Sequence, residues 1–344
     1  MQTFTRTLAV SLAATATAAL LAGCGGSDGG GQQTGFLTLG VTDAPVDFAD
    51  EVVVQFTGVE LKPRQGAPFS IDFAPASLKL LDLQGTTRAV ILDGEEVPAG
   101  DYEWLRLKVK ADPSVGGDSY LRLERGGEEC ELRIPSGDET GLKLVRGFKV
   151  GVGTTTDFTV DFDLRKSIVA PPGQTTPVDT CGNQAFLLKP ALRIVDNLQV
   201  GAISGAVDPG LITAQCASPN QAPYPGNVYL FGPLSETSGI TPAMAPEDYD
   251  AVPAGPTGPE PNGPDPIASA MVDPNTFRYT IGFVPPGNYE IAYTCDVDDA
   301  TLDADAAPVP PATGETVEFT PAAGVAVTVT ANQTVQVDFP PPAP

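Results

Sequence analysis

Carboxylates are the residues best supplied for chemistry in this chain: 43 Asp and Glu stand against 19 Lys and Arg, and there is no histidine. Two groups are close enough in sequence to gather oxygen ligands. Asp43, Asp47 and Asp50 follow one apolar stretch, and Asp296, Asp298 and Asp299 follow Cys295, with Asp303 and Asp305 beyond. A hard cation such as Ca²⁺ takes several carboxylate and carbonyl oxygens, so both groups are candidate calcium ligands. Neither has the EF-hand spacing, which needs a Gly at the sharp turn and a closing Glu. The competing readings are that Asp43 caps the turn before Pro45, and that the second group is a solvated acidic loop.

Several other chemistries are closed. Without histidine there is no Ser-His-Asp or Cys-His nucleophile system, no usual proton shuttle and little prospect of a zinc site. Carboxylate pairs can run glycoside hydrolysis, yet acids are so numerous here that spacing singles out no pair. The sequence therefore points to no enzyme and to no cofactor beyond the calcium that these acidic groups could bind. Charge is also uneven. Beyond residue 198 a single basic side chain, Arg278, stands against 17 acidic ones; up to that point 18 basic stand against 26 acidic. Such a field disfavours nucleic acid, whose binding needs clustered Lys and Arg, and it favours solubility. Arg106, Lys108 and Lys110 make one basic strand face. It could hold an anionic glycan or lipid headgroup, but cross-strand pairing with Glu124 and Glu131 is the commoner arrangement.

Five cysteines remain to be placed: Cys24, Cys130, Cys181, Cys216 and Cys295. Leu21-Ala22-Gly23-Cys24 closes a short apolar run that carries Arg6 and no acid, the pattern of a signal peptide over residues 1–23. A small residue before a cysteine at that place resembles the lipobox of bacterial lipoproteins. The resemblance implies cleavage before Cys24, a lipid on Cys24 and attachment to a membrane. Gly25 stands where that family uses Asp for inner-membrane retention, which implies the outer membrane of the cell envelope. Residues 24–34 then form a Gly-rich tether. No later segment is long and apolar enough to span a bilayer. Setting Cys24 aside leaves four cysteines, as an exported, oxidised protein would have, with three pairings open. If each domain closes on itself, the pairs are Cys130–Cys181 and Cys216–Cys295.

The elements that must carry these residues are strands. Val52, Val54 and Phe56 share one face. Leu105, Leu107 and Val109 alternate with Arg106, Lys108 and Lys110, and Phe158, Val160, Phe162 and Leu164 alternate with Thr159, Asp161, Asp163 and Arg165. Period two of this kind puts one face in a core and one in water. The reading is all-β: two tandem antiparallel β-sandwiches, over 35–198 and 199–344. Residues 233–276, rich in Pro, Gly and acids, read as an insertion in the second. One echo links the halves. Val97-Pro98-Ala99-Gly100-Asp101-Tyr102 matches Val284-Pro285-Pro286-Gly287-Asn288-Tyr289, and each enters an alternating strand by the same turn chemistry.

Two resemblances follow. Gly35-Phe36-Leu37-Thr38-Leu39-Gly40-Val41-Thr42-Asp43-Ala44-Pro45-Val46-Asp47, Leu80-Leu81-Asp82-Leu83 and Pro98-Ala99-Gly100-Asp101-Tyr102 resemble the bacterial domain of unknown function 4382, over about 35–198. That family implies an envelope lipoprotein with a β-sandwich and brings no activity. Ile203-Ser204-Gly205-Ala206-Val207, Val228-Tyr229-Leu230 and Phe283 to Tyr289 are similar to carboxypeptidase-regulatory-like domains. These are transthyretin-like, Ig-like sandwiches that serve as structural or binding modules. The expectation is a lipid-anchored, non-enzymatic envelope protein that holds an envelope protein or a glycan. A calcium-stabilised adhesin is the second expectation and a carboxylate hydrolase the third.

Overall fold

Alternation with period two leads to stacked sheets, and an all-β architecture is what the chain adopts. The computed structural model describes residues 33–342, apart from 47–48, 112–117, 125–126, 135–140, 170–179, 183–184, 190, 217–224, 233–265 and 296–318. The signal peptide, Cys24, most of the tether, Asp47, and Asp296, Asp298 and Asp299 therefore lie outside the described residues.

The first sandwich opens with β1 (Thr34–Ala44), β2 (Ala49–Pro63), β3 (Phe69–Lys79), β4 (Ala89–Pro98) and β5 (Gly100–Lys110). It continues through β6 (Tyr120–Leu123), β7 (Glu129–Arg133), β8 (Leu142–Leu144), β9 (Phe148–Val150) and β10 (Thr155–Asp163). A four-residue helical turn, α1 (Leu164–Ser167), leads to β11 (Ile168–Val169), β12 (Phe186–Leu188) and β13 (Leu192–Asp196). One sheet has the order β13-β10-β1-β4. The other runs β11-β12-β7-β6-β2-β5-β8, with β3 also on β2 and β9 also on β5. The alternating apolar sets named above meet between these sheets in one cluster, where Phe56 meets Phe162 edge-on at 6.1 Å.

The second sandwich begins with β14 (Gly201–Ala206), α2 (Pro209–Gln215), β15 (Asn227–Phe231) and β16 (Pro266–Met271). It ends with β17 (Arg278–Val284), β18 (Gly287–Thr294), β19 (Thr320–Val329) and β20 (Thr334–Gln336). Its sheets are β17-β14-β20 and β16-β15-β18-β19, and Ile203, Val228, Leu230, Ile281 and Ile291 form its own core. Asp208 caps α2 by accepting from the Gly210 amide at 2.7 Å, and the helix hands the chain to Cys216. Disulfides Cys130–Cys181 and Cys216–Cys295 each close within one sandwich.

Two details differ from the sequence reading. The sheets are not purely antiparallel, because β1 pairs with β10, β12 with β7 and β14 with β20 in parallel. A parallel partner needs a crossover, and β10 reaches β1 after the chain has built strands of the opposite sheet. The insertion read over 233–276 is also shorter at its end. Residues 266–271 form β16, whose Pro266, Ala268 and Ala270 face inward. Small residues and a proline carry too weak an apolar signal to register as alternation.

The echoed motif has one physical meaning in both copies. Tyr102 donates its hydroxyl to the Pro98 carbonyl at 2.7 Å, and Tyr289 to the Pro285 carbonyl at 2.8 Å. Each buried tyrosine thus ties strand entry to the turn four residues upstream, in the manner of a tyrosine corner. Burial pushes the Tyr102 phenol up to about 12 and raises Tyr289 as well, so both remain donors at physiological pH. Tyr102→Phe and Tyr289→Phe are each expected to cost about 0.5–1.5 kcal/mol, because a part-buried hydrogen bond is lost. Urea unfolding of both variants checks this, and a negligible loss in either would deny the corner its role.

Candidate functional site

The outward residues of β10 are where structure and sequence part most. Alternation predicts that Thr159, Asp161, Asp163 and Arg165 face water, but Thr159, Asp161 and Arg165 are buried. β10 lies between β1 and β13, and its far end is covered by the second sandwich. At the near end Arg88 grips Asp157 with both guanidinium arms at 2.7 and 2.9 Å. Asn197 donates to Asp157 at 2.9 Å and accepts from Thr159 at 2.8 Å.

Further along, Arg193 of β13 stands opposite Asp161 and donates through Nε and Nη2 to Asp161 Oδ2 at 2.5 Å. Asp161 is 8% exposed. Burial pushes its carboxyl above the ordinary range, and the Arg193 charge pulls it back. Beyond the strand, Arg165 of α1 is 3% exposed. It donates to Ser269 Oγ of β16, and its guanidinium lies 5.2 Å from the Tyr229 ring centroid of β15. One arginine of the first sandwich is therefore set into a sheet of the second. Close by, the backbones touch: a Cβ on Gly282 of β17 would sit 1.9 Å from the Gly85 carbonyl oxygen.

Beside this seam lies a cleft of about 520 Å³, with Asp161, Phe162 and Arg193 on one wall and Ile267, Pro286 and Tyr289 on the other. Asp163 also lines it, so two carboxylates share the space. The one that burial raises, Asp161, is held in an ion pair. An anion fixed by a guanidinium is poorly placed to deliver a proton, and this pair ties β10 to β13 within the first sandwich.

The other residues singled out by sequence fall elsewhere. Asp43 is buried in β1, and Asp50 is exposed at the start of β2. Among the described residues no three acidic or cysteine side chains are grouped to hold a metal. The basic face of β5 is paired, but not with Glu124 or Glu131. Arg106 binds Glu60 at 2.5 Å, Lys108 binds Asp72 at 2.7 Å, and Lys110 pairs with Asp118. The neighbours of β5 are β2, β8 and β9, so β2, β3 and the segment before β6 supply the acids. The seam itself was illegible in sequence. Its one signal was the opposite charge of Asp161 and Arg193 within two apolar strands, and the pairing of those strands cannot be read from either.

The fold is that of an all-β protein built from two sandwiches. Residues 34–190, just under half of the chain, match the model of the Domain of unknown function (DUF4382). No curated protein matches the chain. Among solved structures, a leucine-rich repeat protein from Bacteroides thetaiotaomicron is 10% identical over 90% of this chain and 26% of its own, with a TM-score of 0.20. The Bacillus anthracis TIE protein is 8% identical over 88% of this chain and 33% of its own, with a TM-score of 0.18. GBS52, the minor pilin of Streptococcus agalactiae, is 10% identical over 89% of this chain and 98% of its own, with a TM-score of 0.18. The chain spans about a quarter and a third of the length of the first two. Similarity at this level says nothing of what this chain binds.

Proposed function

We propose that the protein is a lipid-anchored, non-enzymatic component of the bacterial envelope, its two sandwiches forming one binding or structural module. The single observation that carries this reading is the seam. Arg165 buried against Ser269 and Tyr229 ties the two sandwiches to each other, as a spacer or a surface-interaction module requires. Two disulfides, each within one sandwich, agree with folding in an oxidising compartment. On this reading the second sandwich acts as a carboxypeptidase-regulatory-like, transthyretin-like unit. The lipobox at Cys24 supplies the anchor, on the outer membrane. Expression of the full chain tests it. The mature N-terminus should be a lipidated Cys24 recovered with membranes, whereas Cys24→Ser should carry no lipid and leave the membrane fraction. A wild-type protein whose mature N-terminus lacks lipid would overturn the reading.

A further inference from the structure

The basic side chains of the first sandwich are not all spent on ion pairs. Arg88, Arg106, Lys108, Arg122 and Arg193 each meet a carboxylate. Arg64, Lys143, Arg146 and Lys149, by contrast, form no ion pair with any described residue. The fold brings Arg64, Lys143 and Lys149 to one corner, while Arg146 lines the cleft with Asp161, Asp163 and Arg193. The Arg64 amide donates to the Asp101 carbonyl at 2.8 Å, and Lys149 of β9 lies opposite Asp101 of β5. Lys143 of β8 lies opposite Arg106.

Arg106 and Lys143 lie directly opposite each other, and Glu60 neutralises Arg106 while Lys143 keeps its charge. Both lie over Trp104, at 5.0 and 4.5 Å from its ring. Val145, the residue after β8, is 77% exposed. A half-buried indole, an exposed valine and unpaired cations together form the side-chain set that seats at an anionic lipid surface: aromatic rings at the headgroup level, cations among the headgroups. Glu60, Asp101 and Glu103 are acids of the corner; Glu60 lies 2.5 Å from Arg106 and Glu103 3.8 Å from Lys62.

Position supplies the independent argument. The described chain starts at Gln33, whose carbonyl accepts from the Ala99 amide at 2.7 Å, while the Gly153 amide donates to Thr34 at 2.8 Å. The N-terminal exit is therefore beside the start of β5 and the end of β9. Lys143 is six residues along β5 from that point, roughly 20 Å. Cys24 precedes Gln33 by nine residues, which span at most about 32 Å. Nine residues are thus long enough for a lipid on Cys24 to bring this corner to the bilayer.

We propose that the Trp104 corner, with Arg64, Lys143 and Lys149, docks on the anionic lipid surface to which the chain is anchored. The docking sets how the module stands on the membrane, and it rests on the lipid anchor at Cys24. The charge of the rest of the chain acts in the same direction, since the 17 acids beyond residue 198 are repelled by that surface.

Trp104 is the one tryptophan of the chain, so its emission reports the corner alone. The lipidated full chain is reconstituted in phosphatidylcholine vesicles with and without phosphatidylglycerol. Lipids brominated near the headgroup end of their chains serve as quenchers. Trp104 is expected to lose most of its emission in the vesicles containing phosphatidylglycerol, to recover it in high salt, and to stay bright in pure phosphatidylcholine. Changing Arg64, Lys143 and Lys149 to Gln should lower the docked-to-free ratio roughly five-fold for each cation removed. Protein that floats with the vesicles while Trp104 stays unquenched in both lipids overturns the docking and spares the anchor. Equal quenching in both lipids overturns charge-driven docking. Protein that does not float overturns the anchor, and the docking with it.

Discussion

Replacing Cys216 and Cys295 together by alanine is expected to destabilise the second sandwich by about 4–5 kcal/mol. The two residues are 79 apart in sequence, and the entropy a cross-link removes from the unfolded chain grows with the loop it closes. The bridge joins the end of α2 to the end of β18, at a place already tied by Tyr293. That fully buried hydroxyl lies 2.9 and 3.2 Å from the two sulfurs and donates to the Pro225 carbonyl at 2.9 Å. The hydrogen bond to Pro225 survives loss of the sulfurs, so the native sandwich changes little and the effect falls on the unfolded state. Domains are typically stable by about 5–15 kcal/mol, so the loss is a large fraction of the total. Cys130–Cys181, at a separation of 51, should contribute about 4 kcal/mol by the same relation. Urea unfolding of the double-alanine variant measures the effect, and reduction of the wild type should reproduce it. A shift under about 1 kcal/mol would mean that the unfolded chain is compact without the bridge.

What was legible in the sequence was whatever depends on one chain segment and its period. The faces carrying Leu105, Leu107 and Val109, or Phe158, Val160 and Phe162, could be read because alternation is local. The Pro-Gly-Tyr echo could be read because turn chemistry is local. Its hydrogen bond runs four residues back, which explains why both copies adopt it alike. The seam is of another kind. Whether Asp161 meets water depends on what lies over β10, and that is decided by strand order and by how two separate cores meet. The same limit misplaced the partners of Arg106, Lys108 and Lys110. Their charge called for carboxylates, but only strand order shows that Glu60 and Asp72 are the ones opposite. Residues 266–271 escaped notice because alanine and serine bury little surface and leave a faint pattern.

Arg165→Ala should be the point change that separates the two sandwiches. A buried guanidinium hydrogen-bonded to Ser269 and stacked near Tyr229 combines a charge-assisted hydrogen bond with a desolvated cation–π contact. Together these are worth about 3 kcal/mol, and the aliphatic stem adds packing that alanine forfeits. Both contacts act across the seam, because Ser269 and Tyr229 belong to β16 and β15 while Arg165 belongs to α1. The expected result is therefore more than a lower melting temperature. One cooperative transition in the wild type should become two, as each sandwich keeps its own core and its own disulfide. Arg165→Lys separates charge from geometry. A lysine keeps the cation near the ring but lacks the planar fork, so it should restore less than half of the coupling. Calorimetry of the three proteins decides it. If Arg165→Ala still melts in a single transition close to the wild type, the sandwiches are joined by something other than this arginine, and the Gly85–Gly282 backbone contact becomes the place to look.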